Sequence, residues 1–291
     1  MIGWSILLGL GLAIGGLNFA IRRSLAAERV VESAEPEGLP WREVRLPTAN
    51  GKQLFAWFMP AAPGAPALAV MHGWGGNAEM MLPLAGPLHA AGYSLLLLDA
   101  RCHGRSDGDS FASLPRFAED LEAGLAWLRQ QAGVDPAALG VVGHSVGAGA
   151  ALLVAARQPE LKVVLSLAAF AHPASMMRRW LAAKGVPYWP LGAYVLAYVQ
   201  RVIGHRFEAI APLNSIAAID CPVLLVHGLN DPVVPVDEAR AIHARRRSER
   251  VELLLVAGSH DDYGDIGLQF GAILAFMARA CPVRPAGGGE V

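Results

Sequence analysis

Six short, mostly apolar runs constrain this chain more than any other feature: 68–72, 94–99, 139–143, 163–167, 223–227 and 252–256. A strand with one wet face alternates apolar and polar residues. A nearly unbroken apolar strand is buried on both faces, which requires a parallel sheet covered by helices. Longer helical patterns separate the runs, for example over 116–131 and 148–157. Upstream, 41–49 and 52–61 alternate instead, joined by Asn50-Gly51, a strong hairpin signal. The expected fold is α/β, a mostly parallel, doubly wound sheet of about eight strands.

One interval breaks the rhythm. About fifty residues separate the run ending near Leu167 from the one starting near Val223, too many for a plain crossover. We expect a small helical cap over about 171–220. It contains Met176, Met177, Trp180, Tyr188, Trp189, Tyr194 and Tyr198. Most of these are expected to form the cap's own core, with lining of an acyl pocket as the alternative.

The amino-terminal segment 2–21 has no charged residue. At ~1.5 Å rise per residue it would span about 30 Å as a helix, the thickness of a bilayer core. Arg22 and Arg23 follow it, which under the positive-inside rule places the globular part in the cytoplasm. The expectation is a single-pass membrane anchor over 1–23, an uncleaved or atypical export signal being the alternative. Gly11 and Gly15 form a G-x-x-x-G spacing, read as ordinary composition in so Gly-rich a run. Polar residues 24–40 read as a linker, 41–281 as the main domain, and Gly- and Pro-rich 282–291 as a disordered tail.

Composition excludes several functions. With 24 basic and 25 acidic side chains, no nucleic-acid partner is expected. Three scattered cysteines make neither a disulfide framework nor a metal knuckle. No metal spacing or nucleotide-binding loop appears, so no cofactor is expected. The arginines at 245–247 and 178–179 read as solvated helix faces, with contact to anionic lipid as the alternative.

Gly143-His144-Ser145-Val146-Gly147 is a G-x-S-x-G motif with an apolar strand before it and a helical pattern after it. That context puts a serine on a sharp strand-to-helix turn, where side chains at the two glycines would collide with neighbouring strands. The helix amino terminus behind it favours developing negative charge. Over roughly 41–281 the chain resembles the α/β-hydrolase superfamily, and within it bacterial serine hydrolases of the esterase, lipase and aminopeptidase-like group.

The resemblance implies Ser145 as nucleophile, with the acid and then the base following in chain order. His260, just after the last apolar run, stands where this fold delivers its base. His227-Gly228-Leu229-Asn230-Asp231-Pro232-Val233-Val234-Pro235 resembles the family's G-x-x-D-x-x-V-P loop, which makes Asp231 the acid. His227, His243, Asp220, Asp261 and Asp262 are read as structural, surface or capping residues. His72-Gly73-Trp74-Gly75-Gly76-Asn77 resembles the H-G-x-x-G oxyanion loop, implying backbone donors at Trp74 and Val146, with His72 as a brace. The loop from Asp99 to Ser106 resembles D-x-R-G-H-G-x-S but carries Cys102 where glycine is usual. A cysteine would be strained there if the position is left-handed. A Cys102-His103 nucleophile pair is disfavoured, because adjacent residues rarely face each other.

The expected activity is hydrolysis of a carboxylic ester or related acyl bond, the substrate being a small-molecule or lipid-like acyl compound. Peptide and thioester hydrolysis would use the same triad. A membrane-tethered, non-catalytic binding protein is the alternative from another class.

Overall fold

The computed structural model describes residues 2–261 and 266–283, except for the side chains of 2–6, 8, 10 and 266–268. The tail expected over 282–291 lies almost wholly outside the described residues, as does Asp262.

After a helix α1 (Ile2–Ser24), strands β1 (Arg42–Thr48) and β2 (Lys52–Met59) form the expected hairpin. Asn50 and Gly51 both take positive φ at its turn. The chain then alternates through β3 (Ala65–Met71), α2 (Leu82–Ala90), β4 (Ser94–Leu98), α3 (Leu114–Leu128), β5 (Val134–His144), α4 (Val146–Ala155) and β6 (Val163–Leu167). Helices α5 (Pro173–Ala183), α6 (Ala193–Ile203), α7 (Phe207–Ile210) and α8 (Pro212–Ser215) occupy the insert. The last elements are β7 (Val223–Gly228), α9 (Val236–Ala244), β8 (Val251–Val256) and α10 (Ile266–Ala280). The sheet has eight strands in the order 1-2-4-3-5-6-7-8, antiparallel at β1–β2 and β2–β4 and parallel elsewhere.

Both faces of the sheet are covered, as unbroken apolar strands require. On one side Phe117, Leu121 and Leu125 of α3 and Leu152 and Val154 of α4 pack on the strands. On the other, Ala85 and Leu88 of α2 meet Ile273, Phe276 and Met277 of α10. Each of the larger of these side chains contributes about 1.5–3 kcal/mol by leaving water. The same layering holds the carboxyl ends of β3, β5, β7 and β8 together at one edge, where ligands bind in sheets of this kind.

Two expectations need correction. The cap core is built from Leu181, Val195, Leu196, Val199, Phe207 and Ile210, not from the insert's tryptophans and tyrosines. Of those, Tyr198 packs partly on the core with Met176 and Met177, whereas Trp180, Tyr188, Trp189 and Tyr194 are exposed. The membrane span is likewise not supported: among the described residues no helix is long and apolar enough to cross a membrane. The carboxyl-terminal part of α1 is committed to the protein instead. Ile21 is buried, Leu17 and Leu25 pack on the core, and Tyr194 Oη donates to Asn18 Oδ1 at 2.7 Å.

Residues 25–41 also do more than link. This segment straps across the loops at the carboxyl end of the sheet. Ala112 N donates to Leu25 O at 2.9 Å, and Asn77 Nδ2 to Val30 O at 3.2 Å. Ser33 N and Oγ both donate to the Glu79 carboxylate. Glu32 brings its carboxyl to that of the fully buried Asp99. Burial first, and the Glu32 contact next, push the Asp99 carboxyl up to about 8. A carboxyl whose folded value lies above its unfolded one stabilises most at low pH. That contribution is full below about 4 and is lost as pH rises to about 8, at roughly 1.4 kcal/mol per unit. Melting temperature should therefore fall between pH 6 and 8, and Glu32→Gln should flatten that fall. An unchanged pH profile in the variant would show that the pair does not set it.

Candidate active site

The turn from β5 to α4 has the strain expected of a nucleophile elbow. Ser145 takes φ 54° and ψ −112°, a conformation costing about 1–3 kcal/mol for a residue with a side chain. Its amide donates to Leu167 O at 2.8 Å, which ties the turn to β6. The glycines are required by close approach. A Cβ on Gly143 would lie 2.1 Å from Gly147 O, and one on Gly147 would lie 2.4 Å from His72 O.

The structure brings Ser145, His260 and Asp231 into one hydrogen-bonded line. His260 Nε2 is 3.0 Å from Ser145 Oγ, and His260 Nδ1 is 2.7 Å from Asp231 Oδ2. Asp231 is held from behind, since its Oδ1 accepts from the amides of Val233 and Val234, both at 2.8 Å. That arrangement leaves Oδ2 for the histidine, assigning the proton to Nδ1 and the acceptor role to Nε2. All three residues are largely buried. Gly228 is a further requirement that its motif position does not explain: a Cβ there would meet Ser259 O at 2.5 Å. Its lack of a side chain allows the Asp231 loop to pass against the His260 loop.

The loop after β3 reaches the elbow. A Cβ on Gly73 would lie 3.1 Å from Ser145 Cβ, so the Trp74 amide follows directly on the residue that abuts the serine. Val146 opens α4, and its amide has no helical carbonyl one turn back. His72 braces this loop as expected. Its Nε2 accepts from Ala100 N at 3.0 Å, and its Nδ1 faces Gly73 O at 2.6 Å. Burial and the neighbouring His103 pull its pKa down to about 3, so it stays a neutral strut between two loops. The Trp74 ring is partly exposed and stacks edge-on against His103, with centroids 5.8 Å apart.

His227 is structural, its Nε2 lying 2.8 Å from Val234 O. His144 lies against the triad, with its Nε2 2.9 Å from His260 O. Its pKa is lowered, chiefly by burial. Cys102 does adopt the left-handed conformation, at φ 69°. Its sulfur turns to the backbone of Asp109 and Phe111 while His103 Nδ1 turns to Arg101 O, so the two side chains form no nucleophile pair.

The residue that sequence reasoning missed is Arg101. It is almost fully buried, its Nε donating to Asp120 Oδ1 at 2.7 Å and its amide to Asp120 Oδ2 at 2.8 Å. Glu119 pairs with the same guanidinium, and Asp109 lies 3.5 Å from it. A signal was available. Asp120 interrupts the buried stripe Phe117, Leu121, Gly124, Leu125 of α3, and a carboxylate on an apolar helix face needs a partner.

Among the described residues one group, His144, His260 and Asp261, brings three possible metal-ligand atoms within 4.8 Å of one another. Both ring nitrogens of His260 are already engaged by Ser145 and Asp231, so a metal there would compete with the triad line.

The eight-stranded order, the elbow and the covered sheet define the α/β-hydrolase fold, and comparisons with known proteins agree. Residues 63–202 match the serine aminopeptidase (S33) family; this segment contains Ser145 but neither Asp231 nor His260. An uncharacterized protein of Mycobacterium tuberculosis is 29% identical over 223 residues, covering 76% of this chain and 73% of that protein. An esterase of Pyrococcus furiosus superposes with a TM-score of 0.71 at 23% identity, covering 88% of this chain and 97% of its own. The Est1E protein of Butyrivibrio proteoclasticus, with ferulic acid bound, gives a TM-score of 0.65 at 21% identity, over 81% of this chain and 98% of that one. The family match covers just under half of the chain, and the superpositions, both below 25% identity, show the α/β-hydrolase fold.

Proposed function

We propose that the chain hydrolyses a carboxylic ester or related acyl bond through an acyl-enzyme formed on Ser145. The observation that carries this reading is the Ser145–His260–Asp231 line ending on a strained strand-to-helix turn. Ser145 Oγ attacks the acyl carbon while its proton passes to His260 Nε2. Asp231 keeps the other ring nitrogen protonated and stabilises the imidazolium. The Val146 and Trp74 amides meet the oxygen that becomes negative, each contributing about 3 kcal/mol to the transition state. The imidazolium then protonates the leaving group, and water repeats the sequence to release the acid. Nothing in these steps requires a cofactor. The small-molecule or lipid-like acyl substrate expected from the sequence is part of the proposal.

Family similarity favours a second reading. The match to serine aminopeptidases supports peptide hydrolysis by the same side chains, with an amine rather than an alcohol as leaving group.

The test is fluorophosphonate labelling of the protein and its Ser145→Ala variant, followed by a panel of p-nitrophenyl esters, thioesters and aminoacyl anilides. Label confined to the parent protein, with loss of turnover by at least about 10³-fold in the variant, is expected. Equal turnover in the two would overturn the assignment. The panel distinguishes ester from peptide cleavage.

A further inference from the structure

We infer that the cap and α1 together form a docking surface for an anionic lipid membrane, with a headgroup phosphate held in the groove between α1 and α6. The groove, about 520 Å³, is lined by Asn18, Arg22, Tyr194, Ala197, Tyr198 and Arg201. Its polar chemistry is cationic. Arg22 Nε donates to Tyr198 Oη at 2.9 Å, which orients a guanidinium that lines the groove. Arg22 and Arg201 are exposed, and among the described residues neither has a carboxylate partner. The Tyr194 and Tyr198 rings stack with an interplanar angle of 5° and centroids 6.1 Å apart, forming a flat wall beside the two cations. Two guanidinium groups and a phenol wall match a phosphodiester.

The surroundings identify the source of that phosphate. Leu12 and Phe19 on α1 are 69% and 72% exposed, and Trp189 of the cap is 77% exposed. Side chains this apolar, left in water on adjoining elements, are costly unless something covers them. The polar groups among them are those of a membrane interface. Arg178 lies over the Tyr188 ring at 4.6 Å and Lys184 over Trp180 at 4.6 Å. Trp and Tyr with basic residues are the set that settles at headgroup depth. Leu12, Asn18 and Phe19 of this surface lie within the uncharged segment 2–21. A soluble phosphate compound would use the groove but would leave the exposed aromatics unexplained. This inference is independent of the hydrolase reading.

The experiment is co-sedimentation of the full chain with phosphatidylglycerol–phosphatidylcholine vesicles and with pure phosphatidylcholine vesicles, over a range of salt. The expected result is tighter binding to the anionic vesicles by roughly tenfold, eroded by salt, and lost in Arg22→Gln/Arg201→Gln. Arg22→Lys/Arg201→Lys should keep most of the preference, and matching circular dichroism and melting curves would confirm that all variants fold. Trp189→Ala should weaken binding to both vesicle types. The inference is overturned if the wild type shows no anionic preference or if the folded glutamine variant keeps it. It is also overturned if inorganic phosphate alone stabilises the wild type but not that variant while vesicles show no preference.

Discussion

Replacing Asp231 by asparagine is expected to cost about 10⁴-fold in kcat with little change in KM. The reason lies in how the carboxylate is gripped. Oδ1 accepts from both Val233 N and Val234 N, so the asparagine oxygen will take that position. Its amino group must then face His260 Nδ1 and donate to it. A histidine that accepts at Nδ1 carries its proton on Nε2, where it cannot remove the proton of Ser145. Geometry would be preserved and the tautomer would be wrong. Fluorophosphonate labelling should slow in parallel, since it depends on the same proton transfer. Kinetics on a p-nitrophenyl ester, with melting curves as the control for folding, check this. A loss below about tenfold in a folded variant would remove Asp231 from the proposed mechanism.

The second large effect concerns stability. Arg101→Met is expected to destabilise the protein by about 3–5 kcal/mol, because Asp120 would be left buried without its cation. Burial already pushes Asp120 up to about 6 against the pull of Arg101. Removing the guanidinium raises it further, so the deficit should be larger well above pH 6 than below it. Arg101→Met/Asp120→Asn should lose less than the sum of the single changes, since the pair is directly bonded. Urea unfolding of the three variants measures this. A single variant within about 1 kcal/mol of wild type would show that the cluster is not what holds the loop from Asp99 to Phe111.

How much of this was legible follows from where each signal sits along the chain. The sheet was legible because strands covered on both faces must be apolar throughout, and the run at 163–167 coincides with β6. The elbow was legible because a strained turn needs Gly143 and Gly147, two glycines at fixed spacing. Asp231 and His260 were placed through resemblance, and their geometry emerges only when β7 and β8 lie side by side. Less was readable where function depends on partners far apart in sequence. Nothing in 24–40 says that Glu32 meets Asp99, because a lone glutamate in a polar stretch looks like any linker residue. The aromatic residues of the insert illustrate the converse. Their chemistry suggested burial, yet the cap closes its core with Leu, Val, Ile and Phe and leaves Trp180 and Trp189 in solvent. At the amino terminus, hydropathy registers apolar length but not docking. Asn18, Ile21 and Arg22 face neighbours that a hydropathy reading cannot see.

The strap between α1 and β1 has a mechanical meaning. It is a tether clamped along its length, by Ala112 near its start and by Asn77 and Glu79 further on. A load applied to α1 is therefore divided between the cap, reached through Tyr194 and Tyr198, and the loops that carry Ala112, Asn77 and Glu79. On the second path those few hydrogen bonds act as a fuse between the amino-terminal helix and the loop that abuts Ser145.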